Sequence, residues 1–128
     1  MLDIHHSLME AGLLPAELPD NYSFRKVRAL LSEMEKMDAA QMKRAIEAAQ
    51  SLEVRGPLAV AIFLKHHLLG AHEAEVDRLV ENEEQGTRYA VLVYPEGELP
   101  VRLDYLKGAV QAGSRVRYEP ASAEYTVK

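Results

Sequence analysis

Three histidines, His66, His67 and His72, stand close together and are followed at once by six carboxylates, Glu73, Glu75, Asp77, Glu81, Glu83 and Glu84. Imidazoles and carboxylates are metal ligands and proton-transfer groups, so their spacing is the first thing to test. One face of a helix presents positions i and i+4. Four residues after His66 comes Gly70, and four after His67 comes Ala71. His72-Glu73 is followed by Val76 where a zinc-protease motif would place its second histidine. Only His5 or His6, far earlier in the chain, could complete a metal set. The spacing predicts polar positions at the rim of a buried helix, one or two of them hydrogen-bonded inside, with a pH-sensitive contact as the minor alternative. A catalytic carboxylate pair needs an apolar pocket that raises one pKa, and no apolar run surrounds Glu73 to Glu84. These acids read as a solvated helix face, or as a surface that docks on basic patches, whether protein partners or sites shaped for DNA.

Nucleophilic chemistry finds no better footing. None of the serines, at positions 7, 23, 32, 51, 114 and 122, lies in a Gly-x-Ser-x-Gly elbow, and no Gly-rich loop joins a strand to a helix. Cysteine is absent, which excludes a disulfide framework and thiolate zinc sites. The reading is of a protein that is not an enzyme and holds no cofactor or metal. A second set of residues suits recognition. If Val91, Val93, Val116, Tyr118 and Val127 point inward, then Arg88, Tyr94, Arg102, Arg115 and Arg117 point outward, and cations beside an aromatic ring suit a single nucleic-acid strand or a protein partner.

The elements that must carry these residues follow from hydrophobic period. Leu2, His5, Leu8, Met9, Gly12 and Leu13 predict a short helix, with Pro15 and Pro19 opening a linker to Asp20. Phe24, Val27, Leu30, Leu31, Met34 and Met37 form the apolar stripe of a second helix. Asp38 with Gln41 is a capping-box start for a third, with Met42, Ala45, Ile46, Ala49 and Leu52 buried and an end at Gly56. Pro57 suits a first helical position, and Leu58 to Leu64 is apolar on every side, a central buried helix. No capping residue stands ready at Ala71, so this helix is expected to run on, with or without a kink at Gly70, to about Gln85. After Gly86 the pattern alternates. Strands through Arg88 to Tyr94, Val101 to Tyr105, Arg115 to Tyr118 and Ala123 to Lys128, the last an edge strand, are separated by turns at Pro95-Glu96-Gly97-Glu98, Gly108 to Gly113 and Pro120.

The stretch Gly113-Ser114-Arg115-Val116-Arg117-Tyr118-Glu119 resembles the later strand of cold-shock and related oligonucleotide-binding barrels, where a glycine precedes an alternating run ending in an aromatic and an acid. The resemblance covers seven residues. It implies small-barrel construction only: Arg88-Tyr89-Ala90-Val91 lacks that family's base-binding glycines and aromatics, so no functional residue is carried over.

The expected protein is therefore α+β: an acidic N-terminal bundle of four to five helices over residues 1–85, then a small four-stranded antiparallel meander or half-barrel over 86–128, packed on the bundle or appended to it. The net charge of −5 divides at that boundary. Residues 1–85 hold 9 Lys/Arg against 15 Asp/Glu, or −6, and 86–128 hold 6 against 5, or +1. An acidic chain is a poor duplex-DNA ligand. The expected function is a regulator, inhibitor or adaptor that binds a larger protein assembly, such as transcription or other nucleic-acid-handling machinery, through Glu73, Asp77, Glu81 and Glu84 on the helices and Arg88, Tyr94, Arg102, Arg115 and Arg117 on the sheet. The alternative is a single-stranded nucleic-acid-binding module using the sheet. Leu92 and Leu106, read as exposed, would equally suit a homodimer. With no basic start or long apolar stretch at the N-terminus, and with Leu58 to Leu64 far short of the ~20 residues of a bilayer span, the expectation is a cytoplasmic protein without membrane contact.

Overall fold

The computed structural model describes residues 4–15, 22–70 and 73–128, and the chain falls into two compact units, residues 1–70 and 71–128. Each is built around its own apolar interior. Leu2, Pro19, Asp20, Ala71 and His72 of the sequence reading lie outside the described residues.

The first unit has four helices among the described residues: α1 (Ile4–Glu10), α2 (Tyr22–Glu33), α3 (Ala39–Ser51) and α4 (Pro57–Leu69). The second helix buries Val27, Leu30, Leu31 and Met34, and the third buries Met42, Ala45, Ala48 and Ala49, the stripes that their periodicity requires. The capping box at the start of α3 is complete. The Gln41 N–H donates to Asp38 Oδ1 at 2.7 Å, and the Asp38 N–H donates to Gln41 Oε1 at 3.4 Å. Asp38→Ala removes one of these caps and is expected to cost about 1 kcal/mol in a urea titration of the helical signal; a change indistinguishable from zero would mean that water serves the α3 N-terminus equally well. Pro57 opens α4, which packs against both α2 and α3 with Val60, Ala61, Ile62, Phe63 and Leu64 all buried.

The helix does not continue to Gln85. Gly70 adopts a left-handed conformation, φ 88°, its N–H accepted by the His66 carbonyl at 3.3 Å, and α4 stops there. Residues Glu73 to Asn82, expected as an acidic helix, are the first strand of the sheet. Six strands follow in chain order: β1 (Glu73–Asn82), β2 (Thr87–Tyr94), β3 (Gly97–Arg102), β4 (Leu106–Lys107), β5 (Arg115–Glu119) and β6 (Glu124–Val127). The boundary expected at Gln85-Gly86 is thus the turn between β1 and β2. Splitting the charge by unit also reverses its sense. Residues 1–70 hold 8 Lys/Arg against 9 Asp/Glu, or −1, and residues 71–128 hold 7 against 11, or −4. The sheet unit is the acidic one.

The strand order is β3-β2-β1-β5-β6-β4, antiparallel throughout except for the parallel pair of β4 with β6. The sheet is therefore six-stranded and mixed, not a four-stranded antiparallel meander, and β6 is paired on both sides. Its two end strands, β3 and β4, are consecutive in the chain and joined by the single 3-10 turn Leu103–Tyr105. Ends so tethered require the sheet to curl toward closure. Its inner face buries Ala74, Val76, Ala90, Leu92, Leu99, Val101, Leu106, Val116, Tyr118 and Tyr125. Leu92 and Leu106 are in this core and present no apolar surface for a homodimer. On β2 the expected faces hold only in part: Val91 is buried and Arg88 exposed as expected, but Ala90, Leu92 and Tyr94 are buried and Val93 is 45% exposed. Because Ala90, Val91 and Leu92 are all buried, apolar alternation does not set the phase of this strand.

Candidate functional site

The sheet unit carries all nine residues singled out by charge and aromaticity, eight of them on its exterior, and it places acids and bases on one unit instead of two. Glu73 and Glu75 of β1 lie directly across from Arg117 and Arg115 of β5. Arg115 Nη2 is 3.9 Å from Glu73 Oε2, and Lys128 Nζ also binds the Glu73 carboxylate. The hydrogen bond from Lys128, with the nearby charges of Arg115 and Arg117, holds the Glu73 carboxyl below the usual carboxylate range. Arg88 faces Glu81 across the β1–β2 ladder. Opposite charges on facing strand positions stabilise the ladder. The sheet's other cations are engaged in the same way: Lys107 with Glu124 at 2.9 Å and Arg102 with Asp104 at 2.8 Å, the Arg102 guanidinium lying 5.4 Å from the Tyr105 ring centre.

Tyr94 is not on this surface. It is buried, and its hydroxyl is hydrogen-bonded to that of Tyr125 inside the sheet. The outward aromatic assigned to it does not exist.

Asp77 occupies an irregular position. On β2, Leu92 pairs with Val76 and the next residue, Val91, pairs with Arg78, so Asp77 is an extra residue, a β-bulge. Beside it Arg78 Nη1 donates to Asp77 Oδ2 at 2.7 Å and to Glu98 Oε2 at 2.5 Å. The bond from Arg78 keeps Glu98 ionised to lower pH than usual, and the two carboxylates in turn raise the Arg78 pKa. A small open cleft of about 230 Å³, lined by Glu75, Val76, Asp77, Val93 and Gly113, sits at this bulge. Beyond the bulge β1 and β2 form a ribbon ending in the turn 83–86. There Glu81, Glu83 and Glu84 are exposed and make no ion pair among the described residues. Among the described residues the exposed large apolar side chains are Val80, 37% accessible and next to Glu81 in the chain, and Val93 beside the bulge.

Glu98, Lys128, Val80 and Val93 were missed as surface residues. For Glu98 the signal was present: the Pro95 to Gly97 turn sets Glu98 opposite Val93, and so on one face with it.

In the helical unit His66 is buried on α4 and the His67 ring lies 5.9 Å from that of Phe63. His5 bonds the Pro15 carbonyl at 3.1 Å and His6 pairs with Glu10 at 2.9 Å, so these histidines serve local contacts. No group of three or more His, Asp or Glu side chains suited to a metal converges among the described residues. Two open clefts of about 500 and 340 Å³ occur in this unit, the first around Gly12, Glu53 and Gly56, the second between α1 and α3 over Met42 and Ile46. No helix among the described residues is long and apolar enough to cross a membrane.

These observations define a two-unit α+β protein: a helical unit followed by a curled, acidic, six-stranded mixed sheet. No family model matches the chain, no curated protein matches its sequence, and no solved structure matches its fold.

Proposed function

We propose that this protein is a non-catalytic adaptor or regulator whose sheet unit docks on a basic surface of a larger protein assembly, one that handles nucleic acid being the natural source of such a surface. The carrying observation is the β1–β2 ribbon. It holds Glu81, Glu83 and Glu84 exposed and without ion pairs among the described residues, and on the face opposite Glu81 it exposes the apolar side chain of Val80. Unneutralised charge at the rim of an apolar contact steers association and selects partners of opposite sign. The same surface argues against a single nucleic-acid strand as ligand. Arg115 and Arg117 face Glu75 and Glu73, Tyr94 is inside, and the unit carries −4. Phosphate binding draws on uncompensated cations.

The test compares the wild-type chain with the triple variant Glu81→Gln, Glu83→Gln, Glu84→Gln against partners recovered from the native cell, after circular dichroism has shown the same fold. The expected result is an association rate lower by about tenfold at low salt, with the two proteins converging as salt is raised. Equal capture of the same partner by both proteins, or recovery of the protein alone, would remove this reading.

A further inference from the structure

The two edges of β1 are used differently along its length. Near its start the strand pairs with β5, and at Glu75 and Val76 it is bonded on both sides. Glu73, Ala74 and Glu75 meet β5, and the ladder extends through Val76, whose N–H donates to the Ser114 carbonyl and whose carbonyl accepts from the Gly113 N–H, both at 2.8 Å. Past the bulge at Asp77, pairing on the β5 side stops. From Arg78 to Asn82 the only partner strand is β2. Among the described residues no backbone bond reaches these five residues from the other side, and all are exposed except the half-buried Leu79. At the end of the sheet, β3 carries Pro100, a residue that blunts an edge because it has no N–H to offer. The β1 segment has no proline. Five residues at about 3.4 Å each give an open edge of about 17 Å, enough to template another strand.

We infer that Arg78–Asn82 is the seat of an added β-strand, contributed by an extended basic segment of a protein partner. This rests on the reading of the sheet unit as a protein-docking module and names how the docking is done. The surrounding charge selects the occupant. Asp77, Glu81, Glu83 and Glu84 are all exposed along this edge and its turn, while the one cation in the segment, Arg78, is held by Asp77 and Glu98. A strand with Lys or Arg opposite Glu81 meets it as an opposite-charge cross-strand pair, and Glu83 and Glu84 of the adjoining turn add to the attraction. A second copy of this edge would bring its own acids against them.

The experiment uses the full wild-type chain and a synthetic eight-residue peptide of alternating Lys and Val with blocked termini. A second peptide is identical except for N-methyl groups on its two central residues, which removes one donor from each edge and leaves charge and side chains intact. Residue-resolved hydrogen exchange is expected to slow at least tenfold at alternate amides within Arg78–Asn82 when the first peptide saturates the protein, and the methylated peptide is expected to bind at least tenfold more weakly. Equal binding of the two peptides would overturn strand addition while leaving charge-driven docking in place. Binding of neither peptide, with partner capture still sensitive to Glu81, Glu83 and Glu84, would do the same. Protection of this edge that grows with protein concentration without peptide would assign it to a second copy and refute the inference.

Discussion

Phe63→Ala is expected to destabilise the helical unit by about 3–5 kcal/mol, the cost of emptying a fully enclosed aromatic site. The expectation follows from the helix that carries it. From Val60 to Leu64 every side chain of α4 is buried, so no face of this segment is free to tilt toward solvent and close the cavity. Neighbouring α2 and α3 hold it from two sides, with Val27, Met34, Met42, Ala45 and Ala49 essentially inaccessible. Domain stabilities of about 5–15 kcal/mol leave little margin for such a loss, and a unit of this size sits toward the lower end. Far-UV circular dichroism in urea reads the effect as a fall in midpoint with the slope retained. His67→Ala, which removes only a half-buried ring beside Phe63, is expected to cost about 1 kcal/mol and serves as the comparison. A Phe63→Ala loss no greater than that of His67→Ala would mean that α4 is not the enclosed centre of the unit.

That α4 is central was legible because an all-round apolar run has no alternative to burial. The α3 start was legible because Asp38 and Gln41 satisfy each other's backbone through contacts three residues apart, a purely local affair. What failed was the segment after Gly70, and the cause is the bulge. Inward positions on β1 fall at Ala74, Val76 and Leu79, a spacing of two and then three, because Asp77 is inserted between them. Together with Val80 this interrupted alternation imitates the apolar seam of a helix. The misreading then moved six acids into the helical part and made the sheet look basic. The pairing of Glu73 with Arg117 and of Glu75 with Arg115 joins residues some forty positions apart, and no local pattern announces it. The β2 faces failed for a related reason: Ala90, Val91 and Leu92 are all buried, so hydrophobicity alone does not set the phase, and Tyr94 looked like an outward aromatic when it is a core residue.

The core role of Tyr94 has a consequence at high pH. Tyr94, Tyr118 and Tyr125 are all buried in the sheet unit, the rings of the last two 4.7 Å apart, with the Tyr125 hydroxyl hydrogen-bonded to that of Tyr94. Burial disfavours the phenolate. It pushes Tyr94 up from 10.0 to about 12, and desolvation likewise raises Tyr118 and Tyr125, each further discouraged by a neighbouring phenol. Below pH 10 both folded and unfolded chains hold these protons, so the stabilisation is fully present. As pH rises above 10 the unfolded phenols ionise while the folded ones do not, and stability falls with pH until the folded pKa is passed. For Tyr94 alone the two-unit difference amounts to about 3 kcal/mol, and the other two phenols act in the same direction. The sheet unit is therefore expected to unfold cooperatively above pH 10, with phenolate absorbance rising over the same narrow interval in which the near-UV dichroism of the tyrosines is lost. Tyr118→Phe keeps the ring and removes one ionisable group, so its alkaline midpoint is expected to move upward. Tyr125→Phe also removes the bond to Tyr94, at a cost of about 1 kcal/mol at neutral pH, so its midpoint should gain less. Smooth titration of all the tyrosines near pH 10 with the dichroism unchanged would show that water already reaches these hydroxyls, and that the tyrosine cluster is not the sealed interior of the sheet.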